Sequence, residues 1–506
     1  MRHDEYLQHD ATSLAALVRA GEVLPLELLE LALAQLGRVQ PKVNAVVRLM
    51  DQAAREQIAR PLPGVNAGAF PGALAGVPWL LKDGLQDYAG VPTGYGSRSM
   101  QQVVPTAHAA TTRRFLEAGL VVFGKTQMPE FGLKGITDPQ AFGPACNPWD
   151  LAHTTGGSSG GAAAAVASGV LPMAAGSDGG GSIRIPAACC GLFGIKPSRG
   201  RISEGPGVGE VWFGACTHGV LSRSVRDAAL ALDILCGPEP GDPFIMAVPH
   251  LPFVLQAARA PRRLRIGWST TSPIGTAVHA EAVAAVEHTV ALLVSLGHEV
   301  VPAAPVIDGA ALAQAFQHLY FGQVPAAVGY ALSQGAKRSD FELLTLVMAV
   351  LGQTVGAGTL TGQLAQWNVF ARSLGVFFQQ YDLLLTPTLA RPPVRHGELD
   401  PPAWQQQVLR GLLNTGLLGP LARSGALRAT IDQIALDNLE PFPFTQLANL
   451  TGVPAISVPL HWTAAGLPLG VQFVAPMGDE ATLLQLATQL EQAQPWFGRL
   501  PPLARI

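Results

Sequence analysis

Apolar residues return every three or four positions in LELLELALAQLGRV, directly after Pro25. That period puts one apolar stripe on a helix, and proline suits the first helical position because the N–H it lacks would be unpaired there anyway. Upstream, LAALVRAG reads as a shorter helix that Ser13 can cap and that ends near Gly21. EAVAAVEHTVALLVSLG (281–297) and DEATLLQLATQLEQA (479–493) carry the same amphipathic spacing. The period changes in GVPWLLKD (76–83) and LVVFGKT (120–126), which are short, nearly unbroken apolar runs, as strands covered on both faces should be. AATTRRFLEAG between them has a helical pattern. RLRIGWST (263–270), YDLLLTPT (381–388), PAISVPL (454–460) and GVQFVAP (470–476) are further strand candidates.

Strands alternating with helices predict an α/β fold, a sheet covered by helices. No repeat, charged linker or low-complexity join divides the chain. One large domain over 1–506 is expected, with N-terminal helices in 1–60 and a helix-rich inserted cap over 307–440.

Composition narrows the function classes. Of 506 residues 48% are hydrophobic and 14% charged, ample for a large core, and the formal net charge is −3 with no Lys/Arg-rich block. A nucleic-acid partner is therefore not expected. The start, MRHDEYLQHD, lacks the apolar region of a secretory signal. The longest apolar tract, 162–176, is too short for a membrane span and contains Ser168 and Pro172. A soluble cytoplasmic protein is the expectation. The cysteines (Cys146, Cys189, Cys190, Cys216, Cys236) are odd in number and include no CxxC pair or nearby histidine spacing. They predict neither a disulfide framework nor a zinc site, and no metal or cofactor is expected. Cys189 and Cys190 read as small buried residues.

Two motifs invite chemistry that their context opposes. GLVVFGKT (119–126) fits the phosphate-loop pattern, but its intervening residues are themselves the strand, and Pro129 falls where the helix should run. Lys125 then reads as a strand-end surface residue. GGSSGG holds two overlapping G-x-S-x-G frames, on Ser158 and Ser159, suggesting a nucleophile elbow. An elbow follows a strand, and NPWDLAHTT does not read as one. The downstream histidines His218, His279, His298 and His461 read as surface or satisfied core residues.

The second glycine cluster, GSDGGGS (176–182), is different. Three glycines before a serine leave successive backbone N–H groups unshielded, a concave array suited to an oxyanion if the nucleophile sits at its end. Ser182 is the candidate nucleophile, with N–H groups from Gly179, Gly180, Gly181 and Ser182 itself; a plain glycine turn is the alternative. A serine needs a base. Lys82 ends the run GVPWLL, where burial would favour its neutral form. Against this, a strand-end lysine can snorkel, and Asp83 beside it would raise its pKa.

GVPWLLKD, GKTQMPEFG, FGPACNPWD, TTGGSSGGAAAAVASG and GSDGGGSIRIPAACCGLFGIKPSRGRIS, in this order over residues 70–203, resemble the successive blocks of the amidase signature family. Weaker similarity spans nearly the whole chain, through GVLSRSVRDAALALDIL and FTQLANLTGVPAISVP. The central blocks resemble the branch of bacterial 6-aminohexanoate cyclic dimer hydrolases more than the tRNA amidotransferase subunit. The resemblance implies a single α/β/α domain with a mixed central sheet and a Ser–cisSer–Lys triad. By position, Lys82 matches the lysine, Ser158 the bridging serine after a cis peptide bond, and Ser182 the nucleophile.

The resemblance further implies structural support from Ser159, Asp178 and Arg184, and an acyl-side pocket segment at Phe131, Gly132 and Leu133. Many members have threonine where this chain has Gly179. The implied function is hydrolysis of a small-molecule amide with an apolar or aryl part. Ester or carbamate cleavage by the same triad, and an ammonia-supplying subunit, stay open. Substrate determinants are expected in 307–440 and around Trp212–Cys216. A homodimer is a family-level expectation.

Overall fold

The computed structural model describes residues 1–60 and 70–505. Its largest element is an eight-stranded mixed sheet. From one edge to the other the strands are Glu299–Pro302, Arg265–Trp268, Leu383–Pro387, Val471–Val474, Ala455–Val458, Phe193–Lys196, Thr217–Ser222 and Met173–Asp178. The first three run parallel, and every later neighbouring pair is antiparallel. A second sheet pairs Val121–Thr126 in parallel with Pro78–Lys82 and antiparallel with Val46–Leu49. The strands Pro78–Lys82, Val121–Thr126 and Met173–Asp178 are buried along their whole length, including the polar residues that close each mainly apolar run.

Helices cover the sheets, giving the α/β architecture with a mixed central sheet. The helices Pro25–Val43, Ala110–Glu117, Ala280–Ser295 and Glu480–Ala493 form where the amphipathic spacing places them. Gly160–Ala167 is buried at every residue. Its small side chains let the backbone approach closely: a Cβ on Gly161 would stand 2.3 Å from the Gln127 nitrogen. The stretch 307–440 holds the helices Gly309–Ser333, Leu343–Gly352 and Ala357–Phe378 before the Leu383 strand, and Ala403–Asn414, Leu418–Arg423 and Arg428–Leu439 after it. No single helix among the described residues is long and apolar enough to cross a membrane.

Three local expectations are corrected. The helix Ala11–Ala20 is capped by Asp10, whose carboxylate accepts the Ser13 N–H at 2.9 Å; Ser13 is its partner, two residues inside the helix. NPWDLAHTT does contain a strand, Asp150–Thr154, paired with Cys146–Asn147 in a small hairpin outside the main sheet. Lys125 is fully buried, its ammonium donating to the Pro92 carbonyl at 2.9 Å and the Thr93 hydroxyl at 2.7 Å. The loop carrying those acceptors folds over the strand end that would otherwise face water.

Candidate active site

Lys82 is the last residue of its strand and is almost wholly enclosed. Its backbone N–H is fixed by the Gln86 side-chain oxygen at 2.7 Å. Its Nζ donates to Ser158 Oγ at 2.7 Å and to Ser177 Oγ at 3.0 Å. Burial pulls its pKa down to about 8, against the opposing pull of Cys216 and Asp178. Asp83, expected to raise it, is not among the charges that act on it most, which are Cys216 and Asp178. The Asp83 carboxylate, just past the strand end, accepts the Gly94 N–H at 3.0 Å, and Lys125 is the charge that acts on it most.

The two serine clusters are stitched together beside this lysine. The Gly157–Ser158 peptide bond is cis. The next residue, Ser159, donates its N–H to the Ser182 carbonyl at 3.1 Å and its hydroxyl to the Ser177 carbonyl at 3.3 Å. Ser159 therefore ties the Ser158 loop to the strand and turn that carry Ser182.

The turn around Ser182 is organised by one buried carboxylate. Asp178 accepts the N–H groups of Gly181 at 2.7 Å and Ile183 at 3.1 Å, and pairs with the Arg184 guanidinium at 2.9 and 3.0 Å. Burial would raise the carboxyl's pKa, but the Arg184 charge and hydrogen bonds hold it well below the usual range. Arg184 also donates to Thr445 O, Gln472 Oε1 and Asn449 Oδ1. Both charges are wholly buried, so removing either leaves the other uncompensated, a loss of about 3–5 kcal/mol. Gly181 sits at φ +124°, where a side chain would be strained, and a Cβ there would meet Thr445 Oγ1 at 2.4 Å.

This bonding divides the glycine N–H groups. The Gly181 N–H, expected among the oxyanion donors, is already committed to Asp178. The N–H groups of Gly179, Gly180 and Ser182 have no acceptor among the described residues. They are the donors left for a ligand.

Ser182 and Gly180 open onto a cavity of about 350 Å³ under the helices of 307–440. Phe316, Tyr320, Leu343, Val347 and Ile431 form much of its apolar wall, and Lys134, Asp138 and Glu342 add charged groups. Burial raises the Glu342 carboxyl to about 7, helped by neighbouring Glu130 and Asp138. Of the predicted pocket segment, Leu133 lines the cavity. Gly132 lies against the Ser158 side chain; a Cβ there would stand 3.5 Å from its Oγ. Phe131 does not line it: its ring stacks with Tyr95 and Phe341.

The four histidines downstream of the glycine clusters that the sequence singles out have structural partners. His218 pairs with Glu204 at 2.9 Å, His461 with Glu281 at 2.9 Å and His298 with Gln489 at 2.8 Å, while His279 caps a helix. Cys189 and Cys190 are buried, with burial pushing both thiols up. Among the described residues no group of three or more His, Cys, Asp or Glu converges as a metal site would. Sequence reasoning missed Ser177, Thr445, Asn449 and Gln472. Ser177 stood inside the quoted cluster, and the other three lie in the C-terminal blocks FTQLANLTG and GVQFVAP.

A buried lysine and two serine-bearing glycine clusters thus meet beside this mixed sheet, with no histidine among the residues lining the cavity. The amidase family model matches residues 27–417 and 417–484. The 6-aminohexanoate-cyclic-dimer hydrolases of Paenarthrobacter ureafaciens and Pseudomonas sp. (strain NK87) are each 34% identical over 511 residues, covering 98% of this chain and 97% of theirs. A solved 6-aminohexanoate cyclic dimer hydrolase complexed with substrate superposes with a TM-score of 0.85 at 33% identity, covering 98% of this chain and 99% of that one. A bacterial aryl acylamidase of the amidase signature family gives 0.82 at 26% identity, over 97% of each chain. The chain belongs to the amidase signature family of amide hydrolases.

Proposed function

We propose that the protein hydrolyses a small-molecule amide through an acyl-enzyme on Ser182. Ser182 Oγ attacks the carbonyl carbon and passes its proton to Ser158, whose own proton goes to neutral Lys82. The carbonyl oxygen, now an anion, rests on the free N–H groups of Gly179, Gly180 and Ser182. The C–N bond breaks as the relay returns a proton to the leaving amine. Water then adds to the ester, giving up its proton by the same route and releasing the carboxylic acid.

The observation that carries this reading is the 2.7 Å contact between Lys82 Nζ and Ser158 Oγ, made by a lysine held near 8. A base with that pKa keeps a neutral fraction on the order of a fifth near physiological pH, against about a tenth of a per cent for an ordinary lysine, and general-base catalysis draws on that fraction. The apolar cavity wall supports an amide with an apolar or aryl part.

Turnover of aryl anilides, short aliphatic amides, glutamine, a cyclic lactam dimer, and an aryl ester and carbamate tests it, with Ser182→Ala as control. At least one amide should turn over, with acyl mass trapped on the Ser182 peptide, and Ser182→Ala should be inactive. A fully active Ser182→Ala enzyme would remove Ser182 as nucleophile.

A further inference from the structure

The oxyanion loop is covered by an unusual turn. Trp212 and Phe213 are two bulky residues in succession with left-handed backbone, φ +57° and +54°. Side-chain-bearing residues avoid that region, and such outliers persist only where surrounding contacts enforce them. The enforcing contacts lead to the catalytic loop on one side and the cap on the other.

On the catalytic side the Trp212 indole fills the space over Gly179. A Cβ built there would lie 2.6 Å from Trp212 Cε3 and 2.7 Å from Cζ3. Gly179 is not among the residues with left-handed φ, so the indole, and not the backbone conformation, excludes a side chain. On the cap side the indole meets the Tyr320 ring edge-on, centroids 5.2 Å apart, and Tyr320 meets Phe316 at 5.0 Å. Phe316 closes back on the same loop: a Cβ on Gly180 would stand 2.4 Å from its Cζ. A single asparagine joins both parts, since Asn449 Nδ2 donates to the Asp178 side chain at 2.9 Å and to the Ala215 carbonyl, at the end of the Trp212 turn, at 3.1 Å. Phe316 and Tyr320 line the cavity, and Trp212 stands behind them.

We infer that Trp212 is a positioning residue for the oxyanion donors, clamping Gly179 through its indole and coupling that clamp, through Tyr320 and the Phe316 ring over Gly180, to the aromatic wall on which the substrate rests. This rests on the acyl-enzyme reading above. Because donors act only when aimed at the developing anion, a loosened clamp should lower kcat more than it raises KM.

The experiment compares Trp212→Ala, Trp212→Phe, Gly179→Ala and the double variant Gly179→Ala/Trp212→Ala on the best amide of the panel, with Ser182→Ala alongside and melting curves for each. Trp212→Ala is expected to lose about 10–100-fold in kcat with KM nearly unchanged. Gly179→Ala, whose Cβ collides with the indole, should also lose kcat. In the double variant the collision is gone, so the loss should be smaller than the product of the single losses. Trp212→Phe keeps an aromatic ring towards Tyr320 but withdraws from Gly179, and should fall between native and Trp212→Ala. Native kcat in Trp212→Ala, or losses that simply multiply in the double variant, would overturn the inference. If Trp212→Ala does not fold, native kcat in Trp212→Phe would do the same. Activity retained in Ser182→Ala would instead strike the acyl-enzyme reading itself.

Discussion

Two lysines lie side by side in the smaller sheet and do different things. Lys125 and Lys82 sit on parallel, hydrogen-bonded strands, Lys125 opposite Leu81 and Lys82 opposite Thr126. Both are buried, and burial brings both down to about 8. Lys82 Nζ meets two serine hydroxyls, one of them on the cis-linked Ser158. Lys125 Nζ meets a carbonyl and the Thr93 hydroxyl, which itself donates to Asp87 at 2.7 Å. A carbonyl has no proton to give, and Thr93 leads only to a surface-side carboxylate. Burial lowers a lysine's pKa; its partner decides whether that makes a base or a structural tie.

The comparison breaks most sharply on substitution. Lys82→Ala should lose about 10²–10⁴-fold in kcat, the range of a general base, while Lys125→Met with a native-like melting curve should keep kcat. Equal losses in both would erase the distinction.

The pH dependence sharpens it. The proposed relay needs Lys82 neutral, so kcat/KM should rise with pH to a plateau, with its limb near pH 8, and Lys125→Met should leave that limb in place.

A smaller effect is expected at Ser177. Ser177→Ala removes one acceptor that favours charged Lys82, so the limb should move to lower pH, with kcat/KM reduced by up to about tenfold.

The smallest effect concerns stability. The Lys82 pKa is lowered on folding, so the unfolded chain binds the extra proton between about 8 and the ordinary 10.5. The burden on the fold is therefore full below pH 8 and fades as the pH rises through that interval. Lys82→Met escapes it, so its melting temperature relative to the native protein should be higher at pH 7 than at pH 10. No change between the two pH values would mean that Lys82 is not desolvated.

Lys82 and Ser182 stood out as candidates because each stands at a break in a pattern, a charge closing an apolar strand and a serine ending a glycine run, whereas Ser158 entered as the bridging serine only through the resemblance to the amidase signature family. The strands and long helices were legible for the same reason of period. Lys125 was not, because nothing in GLVVFGKT shows that residues 92–93 fold over it. The commitment of the Gly181 N–H to Asp178 was also hidden, since a glycine run looks uniform until a carboxylate selects one of its amides. The strand Asp150–Thr154 has an exposed first half and no alternation to announce it. Thr445, Asn449 and Gln472 are ordinary polar letters whose partner, Arg184, is more than 260 positions away. The Trp212 turn depends on contacts with Gly179 and Tyr320 that no local spacing encodes.

That distance also has a consequence for how the molecule is made. A ribosome releases Ser182 and Arg184 long before it has built the residues that receive the guanidinium, the nearest of them 261 positions further on. Until those residues follow, the nascent chain carries the Ser182 loop without the anchoring contacts that Arg184 makes to Thr445, Asn449 and Gln472.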